Sequence, residues 1–449
     1  MTLVDILPEL FAGLCYLQCG SWLVFMLNLP SEDYAHLLVG PQIAGMASAG
    51  LTGLFLTHLR HKYRRVRFVH FFLLAAGTAL FAICSLMLII RPADSYVGIY
   101  FGGLGHGIVY ISGQSYIHFR SSADGRRVLR MGMCHFMNIL GMALMAQVAV
   151  HVFQEDMKRA AGWIMMIEVN FILVVLITNE ILHLKDVYNY RECLDGDMKE
   201  ANLRRDNFQS AIGVDPETPH NVPNTPYQLK LTMLCVGMKI TNATLTHLPL
   251  IFFTNLAIAN LLDRDNDLEF MVFYFAAIGV IISILLCLKF SIRFIYMNQV
   301  FSILPPMIIG FSLMTAQRFS LAAVGFWFFF MHLGQASFCP DVSILELSDI
   351  RYSEVMLSLG YCIESIITAI TLFLWHQHPA ALLLDHLVAA YWTNFAIFGS
   401  AAIVLLSSMR LLKFPVTTKK SILDIQRLVL FGPEPEPLSV DSISGNSSK

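Results

Sequence analysis

The chain has 449 residues, is 56% hydrophobic and only 14% charged, and has a mean hydropathy of +0.61. Soluble domains carry about 25% charged residues, so a soluble globular fold is excluded. A formal net charge of −2 leaves no basic footprint for nucleic acid, and no polar stretch is long enough to form a separate catalytic domain.

A window of about 19 residues picks out apolar stretches long enough to cross a bilayer. In chain order the first six spans are expected at 6–28, 35–57, 68–90, 95–117, 131–153 and 161–182. The first has no Lys or Arg ahead of it and no small-residue cleavage pattern, so it reads as a retained membrane helix. A second set of six follows at 231–256, 268–288, 297–316, 322–344, 355–375 and 387–409. The expected organisation is a six-helix bundle over 1–184, a polar linker over 185–230, a second six-helix bundle over 231–409 and a polar tail over 410–449. In the tail, Ile422, Ile425, Leu428 and Val429 fall at helical spacing after Lys419 and Lys420, the pattern of a helix lying on the inner leaflet. Eight of the nine cysteines lie within spans and none forms a CxxC pair, so neither a disulfide framework nor a metal site is expected.

The charges fix an orientation. With both termini in the cytosol, the inner loop after span two carries Arg60, Lys62, Arg64, Arg65 and Arg67, and the loop after span four adds Arg120, Arg126, Arg127 and Arg130. Of the 30 Lys and Arg, only Arg91, Lys158, Arg159, Arg264 and Arg318 fall outside, and Lys239 lies within a span. The positive-inside rule thus supports an even number of spans. The membrane is expected to be the plasma membrane or that of an internal vesicle.

The two sets of spans match at a constant offset of 229. Gly50 maps to Gly279, Arg60 to Lys289 and Arg64 to Arg293, and Leu104-Gly105-His106 maps to Leu333-Gly334-Gln335. An even number of spans separates the halves, so this is a parallel repeat about an axis along the membrane normal.

Twelve spans in two halves, with a basic loop after spans two and eight, resemble the major facilitator superfamily over about residues 6–409. That family's loop after span two usually has Gly, a following Asp and then Gly-Arg-Lys/Arg. Here it reads Gly53-Leu-Phe-Leu-Thr-His58-Leu-Arg60-His-Lys62-Tyr-Arg64-Arg65: the Gly and the basic cluster match, and His58 or Arg60 stands near where the Asp belongs. The resemblance implies an all-α membrane protein of 12 transmembrane helices in two pseudo-symmetric six-helix bundles. It also implies a gating role for Arg60, Arg64, Lys289 and Arg293.

Ionisable groups inside a span are costly, which makes them functional candidates by default. His106 lies among glycines near the middle of span four, with Gln335 as its counterpart on span ten. These two either join helices by hydrogen bonds or face a central cavity, and His106 titrates near physiological pH in the second case. His135 on span five maps to Glu364 on span eleven; they either snorkel to the interface or carry a proton. Gln18 and His247 are also 229 apart, on spans one and seven. Lys239 on span seven needs water, a counter-ion or an anionic substrate, with Glu9 and Glu168 as possible partners. Gln18, His106, Lys239, His247 and Gln335 are therefore the substrate-binding candidates. His106, His135, Glu168 and Glu364 are the proton-coupling candidates.

The function expected is a secondary active transporter working by alternating access, its partners a small-molecule solute, protons and membrane lipids. The solute class expected is small and polar, zwitterionic or anionic. No Gly-x4-Gly-Lys-Ser/Thr motif is present to drive it by ATP, and no cofactor or catalytic residue is expected. An enzyme using an intramembrane His would leave the duplication unexplained. The alternative retained is a transporter-like sensor or scaffold without transport.

Overall fold

The computed structural model describes residues 3–27, 35–62, 66–92, 95–120, 127–151, 157–178, 225–258, 267–315, 319–349 and 352–377, and single positions between 399 and 429. Six long helices form the N-terminal half: α1 (Leu3–Leu27), α2 (Ala35–Lys62), α3 (Val66–Ile90), α4 (Tyr96–Arg120), α5 (Arg127–His151) and α6 (Met157–Thr178). The C-terminal half contains α7 (Thr225–Ile258), α8 (Asp267–Cys287), α9 (Ile292–Thr315), α10 (Phe319–Ala336), α11 (Cys339–Leu347) and α12 (Ser353–Gln377). Helices satisfy every backbone group internally, which hydrocarbon requires of a spanning segment. The ends lie within a few residues of the expected spans, with two exceptions. α7 starts at Thr225, with Pro226 in its first turn, so the end of the expected linker is helical. The tenth span is split into α10 and α11 by a turn at Ser337 and Phe338, because Pro340 has no N–H to continue the helical ladder. The expected span at 387–409 lies almost wholly outside the described residues.

Both halves repeat one packing scheme. In the first, α1 packs on α5, α2 on α4 and α3 on α4. In the second, α7 packs on α12, α8 on α10 and α9 on α10, which is what the offset of 229 demands. The two main contacts between halves, α5 with α8 and α2 with α12, exchange with each other under the same operation. That exchange is the mark of a twofold axis running between the halves.

Close helix crossings depend on glycine where backbones touch. A Cβ on Gly141 would lie 1.9 Å from the Leu17 carbonyl oxygen at the α1–α5 crossing, and one on Gly279 would lie 1.9 Å from that of Met331 at the α8–α10 crossing. Large apolar side chains such as Leu51, Phe72, Phe171 and Met233 are exposed on the outside of the bundle, where lipid is their solvent. In the tail, Ile425, Leu428 and Val429 are helical. Ile425 and Val429 are buried in the hydrophobic core, so these two side chains face protein and not the leaflet.

Candidate functional site

Helical spacing on α4 puts His106, Tyr110 and Gln114 on one face, four residues apart and one above another. That face looks across the twofold axis into the C-terminal half. There the break in the tenth span places Asp341 in the first turn of α11, where unsatisfied N–H groups and the helix dipole favour a carboxylate.

Asp341 is fully buried and surrounded by donors from both halves. Lys239 Nζ of α7 lies 2.8 Å from Oδ1. Three groups of the N-terminal half converge on Oδ2: the Tyr110 hydroxyl donates at 2.5 Å, Gln114 Nε2 donates at 3.0 Å, and His135 Nε2 of α5 lies 3.3 Å away. Lys239 also donates to the Tyr110 hydroxyl at 2.7 Å, sits over its ring, and pairs with Glu364 Oε2 of α12 at 2.5 Å. One ammonium thus serves two carboxylates. The two differ in access: the Glu364 side chain is 23% exposed, whereas that of Asp341 is 0% exposed.

Beside this cluster lies a cavity of about 90 Å³, lined by α1, α2, α4, α5, α7, α8, α10 and α12. A volume of roughly 10–15 Å³ holds a water, so there is room for several. Its polar lining includes Gln42, His106, His135, Asn138, Lys239, Asn242, Ser337, Tyr361, Glu364, Ser365 and Thr368, and Phe273 and Phe330 supply apolar wall. His106 Nδ1 meets the Tyr361 hydroxyl at 2.5 Å, which ties α4 to α12, and its ring packs on Trp22 with centroids 5.2 Å apart. Gln42 Nε2 and Asn138 Oδ1 are buried at this cavity without a protein partner.

Four of the residues singled out in the sequence therefore meet here: His106, His135, Lys239 and Glu364. The others lie elsewhere. Gln335 is buried beside His332 and does not line the cavity. Gln18 and Glu168 are buried together between α1 and α6 in the N-terminal half. Neither acid suggested as a partner of Lys239 plays that part, because Glu9 pairs with Arg130 at 3.0 Å and Glu168 accepts from Ser21 at 2.5 Å. Lys289 is exposed in the turn after α8, and Arg293 is half-buried at the start of α9. The side chains of His247, Arg60 and Arg64 lie outside the described residues.

Sequence reasoning missed Asp341, Tyr110, Gln114 and Tyr361. The signal for Asp341 was present: it is an acid inside the expected span 322–344, as exceptional there as Lys239 is on span seven. Tyr110 and Gln114 follow from His106 by adding one and two helical turns. Tyr361 carries no such mark.

No protein-family model matches the chain, and no curated protein matches it. Solved structures do. The proton:xylose symporter XylE of the major facilitator superfamily, bound to 6-bromo-6-deoxy-D-glucose, superposes with a TM-score of 0.70 at 13% identity, over 94% of this chain and 98% of the other. The inward-open conformation of the xylose transporter XylE from E. coli gives 0.64 at 13% identity, over 94% and 99%. A double-Trp mutant of XylE gives 0.64 at 14% identity, over 94% and 98%. The fold is that of these major facilitator superfamily structures, and among the described residues six helices are long and apolar enough to cross a membrane, as in an integral multi-pass membrane protein.

Proposed function

We propose, from this fold and its central cluster, that the chain is a secondary transporter that carries a small polar solute by alternating access and couples it to protons. One observation carries the reading. Asp341 of the C-terminal half is bound by Tyr110, Gln114 and His135 of the N-terminal half, directly beside a cavity that both halves share. Rocking of two halves requires contacts of this kind to break and re-form.

In this reading residues 1–184 and 231–409 are the moving halves, 185–230 connects them, and both termini are cytoplasmic. The inner-loop cations Arg60, Arg64, Lys289 and Arg293 hold the cytoplasmic gate. Glu364 carries the coupling proton, because it is the carboxylate of the cluster with access to the cavity. Protonating it removes one of the two acids that hold Lys239, and so loosens α12 from α7. A charge left buried without its partner is strongly unfavourable, so Lys239 then turns wholly to Asp341. His106 and Tyr361 contact the solute, with Gln42 and Asn138 offering hydrogen-bonding atoms that no protein group occupies. The engagement of Lys239 by two carboxylates favours a zwitterionic solute over a simple anion, since an anion would have to displace one of them.

The test is uptake of a solute panel into proteoliposomes, with and without an imposed pH gradient. Accumulation driven by the gradient and abolished by Glu364→Gln supports the reading. Uptake indifferent to the gradient removes the proton. Saturable binding with no flux for any solute replaces transport by a sensor or scaffold role.

A further inference from the structure

Away from the central cavity, the N-terminal half contains a second buried carboxyl group. Glu168 sits near the middle of α6, 8% exposed, and Gln18 sits near the middle of α1, 0% exposed. The two helices meet along one seam. Gln18 Nε2 donates to the Met165 carbonyl at 3.4 Å, and the Ser21 hydroxyl donates to Glu168 Oε1 at 2.5 Å. Gln18 and Ser21 share a face of α1, as Met165 and Glu168 share a face of α6, so the carboxamide and the carboxyl lie in the same seam.

Two acceptor atoms there are orphaned. Glu168 Oε2 and Gln18 Oε1 are both buried and neither has a hydrogen-bond partner. Among the described residues no cation pairs with Glu168 either. The Cys19 thiol on α1 is a titratable neighbour of Glu168 and supplies no positive charge. An ionised carboxylate with a single hydroxyl donor in an apolar interior has no compensation for its lost hydration, and such a group takes up a proton instead. A protonated carboxyl has one O–H to give. An O–H on Glu168 Oε2 would give that atom a role and leave a donor for Gln18 Oε1.

We infer that Glu168 is a proton-binding site in the N-terminal half, its Oε2–H donating to Gln18 Oε1 across the α1–α6 seam. The site is separate from the Lys239–Asp341–Glu364 cluster and exists whether or not the central cavity moves a solute. Neither Gln18 nor Glu168 lines that cavity, so this proton is distinct from the one assigned to Glu364.

Infrared spectroscopy of the purified full-length protein at neutral pH tests it. The difference between wild type and Glu168→Gln should contain the carbonyl stretch of a protonated carboxyl group, shifted in deuterium oxide. The same band should survive in Glu364→Gln. Glu168→Gln should also keep the wild-type thermal midpoint, because the amide N–H replaces the carboxyl O–H. A second variant keeps the question open to refutation if that one misfolds: in Gln18→Leu the band should persist but move to higher frequency, having lost its acceptor. A difference spectrum showing only ionised-carboxylate bands, as for a carboxylate bridged by water, overturns the inference. So does a band that Gln18→Leu leaves unmoved.

Discussion

Tyr110 and Asp341 belong to different halves of the molecule, 231 positions apart, yet the Tyr110 hydroxyl donates to Asp341 Oδ2 at 2.5 Å. The same hydroxyl accepts from Lys239 at 2.7 Å, so one phenol links the cation and the anion of the buried pair. The contact between halves at this depth is therefore a polar network, and its strength is set by how completely each member is bonded.

Removing Asp341 tests that network. Asp341→Ala deprives Lys239, Tyr110 and Gln114 of a shared acceptor, and removal of one partner from a buried ion pair costs about 3–5 kcal/mol. The thermal midpoint in detergent should fall sharply. The double variant Lys239→Ala/Asp341→Ala should lose clearly less than the sum of the two single losses, because the second truncation removes the charge that the first left unpaired. Additive losses would show that the pair does not act as a unit.

Glu364→Gln should leave yield and thermal midpoint much closer to wild type than Asp341→Ala does. Its side chain is 23% exposed to the cavity, and Lys239 keeps Asp341. Uptake by this variant should no longer respond to an imposed pH gradient, read as equal initial rates with and without it.

Tyr361→Phe removes the hydroxyl that meets His106 Nδ1 and keeps the ring that packs on Tyr110. A single hydrogen bond of this kind is worth about 1 kcal/mol, so folded yield should change little. Solute KM should rise several-fold with a smaller effect on kcat. An unchanged KM would place the pair outside the solute path.

Two glycines related by the repeat should respond in opposite directions. Gly279→Ala drives a methyl into the Met331 carbonyl, with backbone atoms on both sides that cannot yield, and should destabilise by several kcal/mol. Gly50→Ala meets nothing within 4 Å and should be neutral or stabilise by about 0.5–1 kcal/mol. Thermal midpoints of the two variants decide it.

Much of the site was legible because charge in hydrocarbon is rare. Lys239 and Glu364 stand out among apolar neighbours, and the offset of 229 joins His135 to Glu364. Both positions prove to border the same cavity. The pairing of Lys239 was not legible, since its partners lie 102 and 125 positions away on two other helices. The offset also misdirected in one place. It paired Gln335 with His106, whereas Gln335 lies beside His332 on α10 and does not line the cavity.

Hydropathy and an internal repeat were sufficient by themselves for a two-half architecture of membrane-spanning helices, because a bilayer restricts spanning segments to one length and one internally bonded conformation. Which polar side chains meet was decided only by tertiary structure. Helices in lipid are free to rotate and tilt until close contacts set their facing. Those contacts bring Tyr110, Gln114 and His135 onto an aspartate of the opposite half.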